Sequence, residues 1–348
     1  MCISKLPKKL FGVALDPADD PWTLELKQAW MSADPSGLDW LSACLDPYDA
    51  VTGRLGELLQ KHRIEPAGKF PIPSWLWPKP HPSDLPAVTM PNMESFFDSG
   101  AMLDIVKQLQ EFVREKVFPE IPVMVGVDHS ATAGVIAALS EEYGADDIGV
   151  VVLDQHFDAI PLSVRLAGVD ESGTPVGFSD QFGCGNFWAY LINDGTVRPE
   201  NLLFIGVADY PGEPGDPRRE AYRRTYLDYE ERGCRFFTRE RFEGDYHDDL
   251  SRFLRENIKV PRVYISFDLD VGSYASTYAA RYMDRPGLDV EQVLDVAGSI
   301  AGDCQRGNYA VAGLDVMEFN MHFLGIETPD GVKDSTLDLA GRFIAALT

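Results

Sequence analysis

Residues 148–158 read IGVVVLDQHFD, an apolar run of six residues followed directly by a cluster of ionisable side chains. Such a run is typical of a buried strand, and similar runs recur at 10–15, 121–127, 202–207, 235–238, 263–267 and 310–314. Stretches with helical periodicity lie at 102–117, 131–143, 220–232, 246–257, 289–301 and 335–347. The alternation predicts an α/β fold of three layers, α/β/α, with a mainly parallel sheet of about eight strands.

The length of the chain fits one domain, because α/β proteins built on one large sheet often reach 348 residues without dividing. We therefore treat residues 1–348 as a single domain. Seven prolines crowd residues 70–95 together with Trp75 and Trp77. Since proline interrupts helices, this segment is predicted to be an ordered loop that covers the surface.

Composition narrows the functional classes. The 55 acidic and 31 basic residues give a net charge of −24, which disfavours binding to nucleic acid or to an anionic membrane surface. The five cysteines are far apart and form no C-x-x-C pair, so neither a disulfide framework nor a thiolate zinc site is predicted. The chain has no run of ~18 apolar residues and no apolar leader near Met1, so a cytoplasmic location is expected.

Ionisable side chains follow two of the predicted strands at every second position. Asp154, His156 and Asp158 would share one face of an extended chain, with ~6.5–7 Å between alternate residues. Asp268 and Asp270 repeat this spacing after the run 263–267. Two carboxylates that face each other at the end of a buried strand repel, and a shared cation is the simplest compensation.

A third cluster, GVDHS at 126–130, places His129 between a predicted strand and a predicted helix. Ligands of open parallel sheets bind at the carboxyl ends of the strands, where the three clusters would meet. Together they supply two imidazoles and at least four carboxylates, which predicts a metal centre. This donor set suits manganese and similar harder ions better than a structural tetrahedral zinc.

Four motifs in this chain resemble, in the same order, those of the ureohydrolase family of arginases and agmatinases. They are GVDHS at 126–130, DQHFD at 154–158, SFDLD at 266–270 and DVME at 315–318. The resemblance implies an arginase-like fold and a centre of two Mn²⁺ ions per chain, for which other divalent transition metals could substitute. The ligands that it implies are His129, Asp154, His156, Asp158, Asp268 and Asp270, with Asp154 and Asp268 among the bridging groups.

The same resemblance assigns two catalytic carboxylates. Asp158 would carry a proton to the departing amine, and Glu318 would bind the substrate guanidinium and orient its carbon. Because the charge of a guanidinium is delocalised, it needs a nucleophile stronger than water. Two dications lower the pKa of water from about 15.7 towards ~7, which makes hydroxide available at neutral pH. The implied reaction releases urea and an amine, which is ornithine where the substrate is arginine.

The chain departs from the family pattern after the second motif. Arginases have Gly-Asn-x-His there, with a histidine that helps to move protons, whereas residues 185–188 read GNFW. Trp188 cannot move a proton, and His322 is a candidate replacement. The asparagine with which arginases hold the α-carboxylate has no counterpart at 159–162. Asn186 and Trp188 are nevertheless predicted to contact the substrate.

The loop after Asp270 is also altered, because Tyr278, Arg281 and Tyr282 replace small residues. Arg281, together with Arg165 in the extended segment 159–185, is predicted to contact the substrate. A remodelled entrance of this kind predicts a larger guanidino compound, such as an arginine side chain within a peptide.

Several functions remain open on the sequence. The leading expectation is hydrolysis of the guanidino group of free L-arginine or of arginine within a peptide, and an agmatinase or another guanidino-acid hydrolase is the alternative within the family. A deacetylase of the related fold would use one zinc, against which His129 and Asp154 argue. A non-catalytic partner subunit is a further alternative, which Trp188 favours because it stands in place of the histidine that moves protons. The expected partner is a small-molecule or peptide substrate, and assembly into a homo-oligomer is left open.

Overall fold

One sheet forms the centre of the molecule. A computed structural model describes residues 7–18, 20–166, 180–211, 220–283, 286–327 and 331–348. Within these residues the sheet has eight parallel strands in the order β2-β1-β3-β8-β7-β4-β5-β6. They are β1 Lys8–Val13, β2 Ile64–Lys69, β3 Ile121–Gly126, β4 Ile148–Leu153, β5 Leu202–Ile205, β6 Arg235–Phe237, β7 Arg262–Asp268 and β8 Ala310–Met317. The predicted α/β fold with a parallel sheet is confirmed.

Helices cover both faces of this sheet. One face carries α1 Pro21–Ser32, α5 Met90–Asp98, α6 Ala101–Phe112, α7 Thr132–Tyr143, α8 Leu162–Leu166, α9 Phe187–Asn193 and α10 Glu220–Arg232. The other carries α2 Trp40–Ala43, α3 Pro47–Arg54, α4 Gly56–Lys61, α11 His247–Asn257, α12 Val290–Gln305 and α13 Thr336–Leu347. No helix in the described ranges is long and apolar enough to cross a membrane.

Strand β4 shows why a continuous apolar run indicates a strand of this sheet. Successive side chains of a strand point to opposite faces of the sheet. Val150 and Val152 therefore pack in the core on one face, and Val151 and Leu153 in the core on the other, all at most 1% exposed. Because both faces of the sheet are covered, the strand is apolar along its whole length.

Strand β2 was missed by the apolar pattern. It lies at one edge of the sheet, beside β1, and contains Pro66 and Gly68. Proline is tolerated on an edge strand because its missing N–H is not needed by a second neighbour. The edge position thus permits a strand whose sequence is typical of a loop.

Helix α5 corrects the expected loop at 70–95, because it begins at Met90 inside that range. Pro91 occupies its first turn, where a backbone N–H would have no partner within the helix. The rest of the range contains only short 3₁₀ turns at Ser74–Leu76 and Pro82–Asp84. The helix expected at 102–117 ends at Phe112 and continues as a π-helical turn, Val113–Val117.

The four strands at the middle of the sheet, β3, β8, β7 and β4, are neighbours in space although not in sequence. Their carboxyl ends lead into the four motifs, at residues 126–130, 315–318, 266–270 and 154–158. All strands are parallel, so these ends meet at one edge of the sheet, and the fold brings the four motifs together.

Candidate metal centre

Four buried side chains converge at the carboxyl ends of β3, β4 and β7. His129 Nδ1 lies 2.9 Å from Asp268 Oδ2, 3.3 Å from Asp158 Oδ2 and 3.4 Å from Asp154 Oδ2. One potential ligand atom from each of the four residues lies within 4.8 Å of the others. This spacing is close enough for one cation to contact all four groups.

A second group adjoins the first. His156 Nδ1 lies 2.8 Å from Asp270 Oδ2 and 3.8 Å from Asp154 Oδ1. Asp154 belongs to both groups and faces His129 with one oxygen and His156 with the other. In the described residues Asp268 belongs only to the first group. The geometry therefore brings all six predicted ligands together, in two sets that share one carboxylate.

The electrostatics of this cluster fit divalent cations. Burial, reinforced by Asp270, raises the pKa of Asp268 to about 7, and burial with the same neighbour raises the pKa of Asp154 well above its usual range. Burial alone would lower the pKa of His129, but Asp268 and the other carboxylates outweigh it and raise that pKa. The buried carboxylates repel one another when ionised, and bound cations would stabilise their charges in place of protons.

His129 is held in the orientation that a metal ligand needs. Its Nε2 lies 2.8 Å from Ser266 Oγ, and that hydroxyl donates to Asp315 Oδ1 at 2.9 Å. Asp315 also accepts hydrogen bonds from the hydroxyls of Thr132 and Tyr264, both at 2.7 Å. With Ser266 donating to Asp315, Nε2 carries a ring proton, so Nδ1 is the nitrogen that could bind a cation in place of its own proton.

A cavity of about 390 Å³ opens onto the cluster. The ligand side chains on its wall are His156, Asp158, Asp268 and Asp270, and Glu318 from the end of β8 lies with them. Apolar walls come from Phe97, Ile160 and Leu162. A small number of charged groups at the base of a partly apolar cavity is the usual composition of a small-molecule site.

Glu318 is placed between His129 and Arg281. Its Oε1 accepts a hydrogen bond of 3.0 Å from the backbone N–H of His129, and its Oε2 lies 3.5 Å from Arg281 Nε. Burial raises the pKa of Glu318 well above its usual range, although Arg281 opposes this shift. The carboxylate that the sequence assigns to a substrate guanidinium therefore has a guanidinium of the protein beside it.

Asp158 is paired in a similar way with Arg165. Arg165 Nη2 donates to Asp158 Oδ1 at 3.0 Å and to the carbonyl of Gly185 at 3.1 Å, and its Nε donates to the carbonyl of Ile160 at 3.3 Å. Burial raises the pKa of Asp158, but the hydrogen bond with His129 and the charge of Arg165 outweigh it, so the net shift is downward. Arg165 thus holds the outer oxygen of a predicted metal ligand.

A family model described as the Arginase family matches residues 35–343, most of the chain. The chain belongs to the arginase family. This is the family that the resemblance in the sequence predicted, and the matched range includes the four motifs at the ends of the central strands.

Curated relatives are about one quarter identical to this chain over the aligned residues. Arginase 2, chloroplastic/mitochondrial, of Arabidopsis thaliana is 24% identical over 254 residues, which is 72% of this chain and 60% of the relative. Proclavaminate amidinohydrolase of Streptomyces clavuligerus is 26% identical over 196 residues, 56% of this chain and 52% of the relative. The chain thus matches little more than half the length of these relatives.

Solved structures of the family match over nearly the whole chain. Arginase from Bacillus caldovelox has a TM-score of 0.60 and 16% identity, with 98% of both chains covered. Proclavaminate amidino hydrolase from Streptomyces clavuligerus has a TM-score of 0.57 and 18% identity, with 99% of this chain and 94% of that chain covered. At this identity the likeness concerns the fold, which is arginase-like as predicted.

Two predicted substrate contacts are placed differently from each other. Asn186 lines the cavity, but its side chain is used within the loop, since it accepts from the backbone N–H of Gly183 at 3.0 Å and donates to the carbonyl of Gln181 at 2.8 Å. Trp188 is fully buried and is not on the cavity wall. It packs against Phe187 and against the ring of His129, at centroid distances of 4.5 and 6.2 Å. The prediction that Trp188 contacts the substrate is corrected: its ring packs against His129, a predicted metal ligand, on the side away from the cavity.

His322 does not replace the missing histidine in this arrangement. Its Nε2 lies 3.0 Å from the carbonyl oxygen of Pro78, and it lines a second cavity rather than the one at the metal centre. Burial lowers the pKa of His322 to about 4, so the ring is neutral near pH 7. The fold separates it from the departing group of a substrate bound at the cluster.

Sequence reasoning missed a supporting carboxylate after β5. Asp209 is buried and accepts hydrogen bonds from the hydroxyls of Tyr222, at 2.5 Å, and Tyr226. Asp158, Asp209 and Tyr222 together raise the pKa of Arg165 against the effect of burial. A carboxylate beyond a strand end was the available signal, but a lone aspartate without a partner two residues away does not stand out.

Proposed function

We propose that this chain is a metal-dependent amidinohydrolase that cleaves the guanidino group of an arginine-like substrate, with release of urea. The observation that carries the proposal is the pair of buried ligand groups that share Asp154 at the base of a cavity also lined by Glu318. Two sets of ligands suit a binuclear centre, and carboxylate-rich sets suit two Mn²⁺ ions. A deacetylase with one zinc would leave one of the two ligand groups without an ion, and His129 with Asp154 belongs to a set larger than one zinc needs.

The residues of the site have distinct tasks in this proposal. Bound cations would make hydroxide available at neutral pH. Glu318 Oε2 would contact the substrate guanidinium and turn its carbon towards the cluster. The other oxygen of Glu318 accepts a hydrogen bond from the backbone of His129, so the carboxylate lies beside the cluster. Asp158 would accept a proton during attack and deliver it to the departing nitrogen. Arg165 would position Asp158 for this transfer, because it binds the outer oxygen of the carboxylate at the cavity wall.

The remainder of the substrate is proposed to lack a required α-carboxylate contact. Arg165 is the cation of the segment 159–185 that could have bound such a group. Its described hydrogen bonds instead go to Asp158 and to two backbone carbonyls. This favours an arginine side chain within a peptide, or a blocked arginine, over free arginine, with agmatine as the alternative substrate.

An assay of product release tests the proposal. Protein reconstituted with Mn²⁺ should release urea from at least one of four compounds: arginine, agmatine, guanidinobutyrate and an Nα-acyl-arginine amide. His156→Ala should abolish this release and reduce the bound metal, whereas the exposed His247, when replaced by Ala, serves as the matched control. Absence of urea from all four compounds, in protein that holds close to two metal ions per chain, would refute the proposed reaction.

A further inference from the structure

Arg281 is a buried guanidinium placed between two carboxylates. It is 6% exposed, and its Nε lies 3.5 Å from Glu318 Oε2 while its Nη1 lies 3.3 Å from Asp16 Oδ1. Its Nη2 also donates to the hydroxyl of Tyr282 at 2.6 Å. The protein therefore places beside Glu318 the same chemical group that the proposed substrate would bring there.

The backbone holds Arg281 at this place. Ala280 and Phe319 form an antiparallel bridge, in which the N–H of Arg281 donates to the carbonyl of Glu318 at 2.9 Å. On the other side of the same bridge, the N–H of Asn320 donates to the carbonyl of Ala279 at 2.8 Å. The loop that carries the arginine is thus fastened through its backbone to the residue that its guanidinium faces, so Arg281 stays beside Glu318.

Asp16 gives Arg281 an anchor that does not depend on Glu318. Asp16 is 3% exposed, and its other oxygen lies 3.0 Å from Lys27 Nζ. An external guanidinium that takes the free side of Glu318 weakens the pair with Arg281 and brings two like charges together. Arg281 can remain paired with Asp16 when this happens. Exchange at Glu318 is therefore feasible but carries a cost in binding free energy.

A second cavity adjoins the first at this arginine. It has a volume of about 400 Å³ and is lined by Arg281, Tyr282 and Asp20, of which Tyr282 and Asp20 also line the cavity of the metal centre. Its remaining wall is largely aromatic and apolar, with Trp22, Tyr274, Tyr278, Met283 and Phe323. Two of these rings, Trp22 and Tyr274, are 60% and 61% exposed. An apolar group attached to a bound guanidinium could be buried here.

We propose that Arg281 competes with guanidino ligands for Glu318, so that only ligands that also fill the adjoining aromatic cavity bind tightly. The inference rests on the proposed function and narrows its substrate class to guanidino compounds that carry a bulky apolar group. Binding free energy gained away from the reacting group offsets the cost of displacing Arg281 from Glu318. A compound without such a group has no contact that offsets this cost.

The test measures binding of two ligands by calorimetry to the full chain loaded with Mn²⁺. One ligand is small, propylguanidine, and the other is a capped arginine, Nα-benzoyl-arginine amide. Arg281→Met preserves the length of the side chain but removes its charge, and it should bind propylguanidine at least about tenfold more tightly, or about 1.4 kcal/mol. The capped ligand should gain by the same factor, because it displaces the same ion pair, and in both proteins it should bind more tightly than propylguanidine through its contacts in the aromatic cavity. Arg306→Met is the matched control, because Arg306 pairs with the buried Asp303 at 2.7 Å far from these cavities.

A second variant keeps the inference testable if Arg281→Met does not fold. Trp22→Ala changes an exposed ring and should weaken the capped ligand more than propylguanidine. Weaker or unchanged binding of propylguanidine to Arg281→Met, no tighter binding of the capped ligand than of propylguanidine to the parent, or equal losses for both in Trp22→Ala would each overturn the inference. The heat of binding is separated from any slower heat of turnover within each injection. These outcomes are therefore distinct from an absence of urea release, which bears on the proposed function alone.

Discussion

Two carboxylate–arginine pairs border the cavity at the metal centre, Asp158 with Arg165 and Glu318 with Arg281. Both carboxylates follow a central strand, and both have a left-handed backbone, with φ of 48° for Asp158 and 64° for Glu318. Residues other than glycine rarely adopt this conformation, which costs roughly 1–3 kcal/mol and persists where the surrounding structure imposes it. The fold thus fixes both carboxylates at the cavity in the same way.

The two arginines differ in what else holds them. The side chain of Arg165 is 24% exposed, and its further hydrogen bonds go to backbone carbonyls, so its charge is directed to Asp158. The side chain of Arg281 is 6% exposed and has a second carboxylate, Asp16. An arginine with one carboxylate positions it, whereas an arginine with two can release one of them. Substitutions at the two pairs can distinguish an arginine that positions a carboxylate from one that releases it.

The largest effect is expected from Asp158→Asn. Asp158 is both a predicted metal ligand and the proposed carrier of the proton, so the variant should lose ~10²–10⁴-fold in kcat. Metal analysis should also find fewer ions per chain than in the parent. Asp146→Asn is the control, because Asp146 is an exposed carboxylate that pairs with Arg198 at 2.7 Å. Normal metal content and turnover in Asp158→Asn would remove Asp158 from the centre.

Glu318→Gln should reduce turnover without loss of metal. Glu318 faces the proposed substrate, and its described contacts are with the backbone of His129 and with Arg281, so the metal ligands remain intact. We expect kcat/KM to fall by a factor that corresponds to at least ~2 kcal/mol of lost transition-state stabilisation, the scale for breaking a buried charge pair. Metal analysis alongside steady-state kinetics measures both quantities. A variant that loses its metal would place Glu318 among the ligands instead.

Arg165→Met should lower kcat by about tenfold, the scale of a hydrogen bond to a charged group, ~1.5 kcal/mol. The positive charge of Arg165 lowers the pKa of Asp158, so its removal raises that pKa. The acidic limb of the pH profile of kcat should therefore move to higher pH, and Arg165→Lys should restore part of the shift. An unmoved acidic limb would show that Arg165 acts on the loop rather than on Asp158.

The smallest effect is expected from Tyr226→Phe, which removes one hydrogen bond to Asp209 behind Arg165. The free energy of unfolding, measured with urea, should fall by about 1–2 kcal/mol, because a buried acceptor loses a donor. Turnover should fall by less than in Arg165→Met. Tyr190→Phe is the matched control, since its hydroxyl donates to the carbonyl of Asp180 at an exposed position. A larger loss of turnover than in Arg165→Met would assign Tyr226 a direct catalytic task.

Regular spacing along the chain was sufficient to predict most of the side chains that cluster at the candidate metal centre. Asp154 and His156, and likewise Asp268 and Asp270, lie two residues apart at the end of apolar strands, so the periodicity of a strand alone places each pair on one face. The parallel order of the strands then brings the pairs to one edge of the sheet. The fold class followed from the same pattern, while strand β2 escaped because an edge position tolerates Pro66.

The partners of these residues depended on the tertiary structure. Arg281 meets Asp16 across 265 positions of the chain, and Glu318 meets the backbone of His129 across 189. Such contacts arise where loops close over the strand ends, and loops have no repeating pattern from which their paths could be read. Trp188 illustrates the limit: its position after Asn186 indicated a wall of the site, but a ring of that size is buried wherever the core offers room. The sequence by itself determined which groups could bind metal, because strand geometry is local. The tertiary structure decided which charges lie beside these groups at the cavity, because loop contacts are not local.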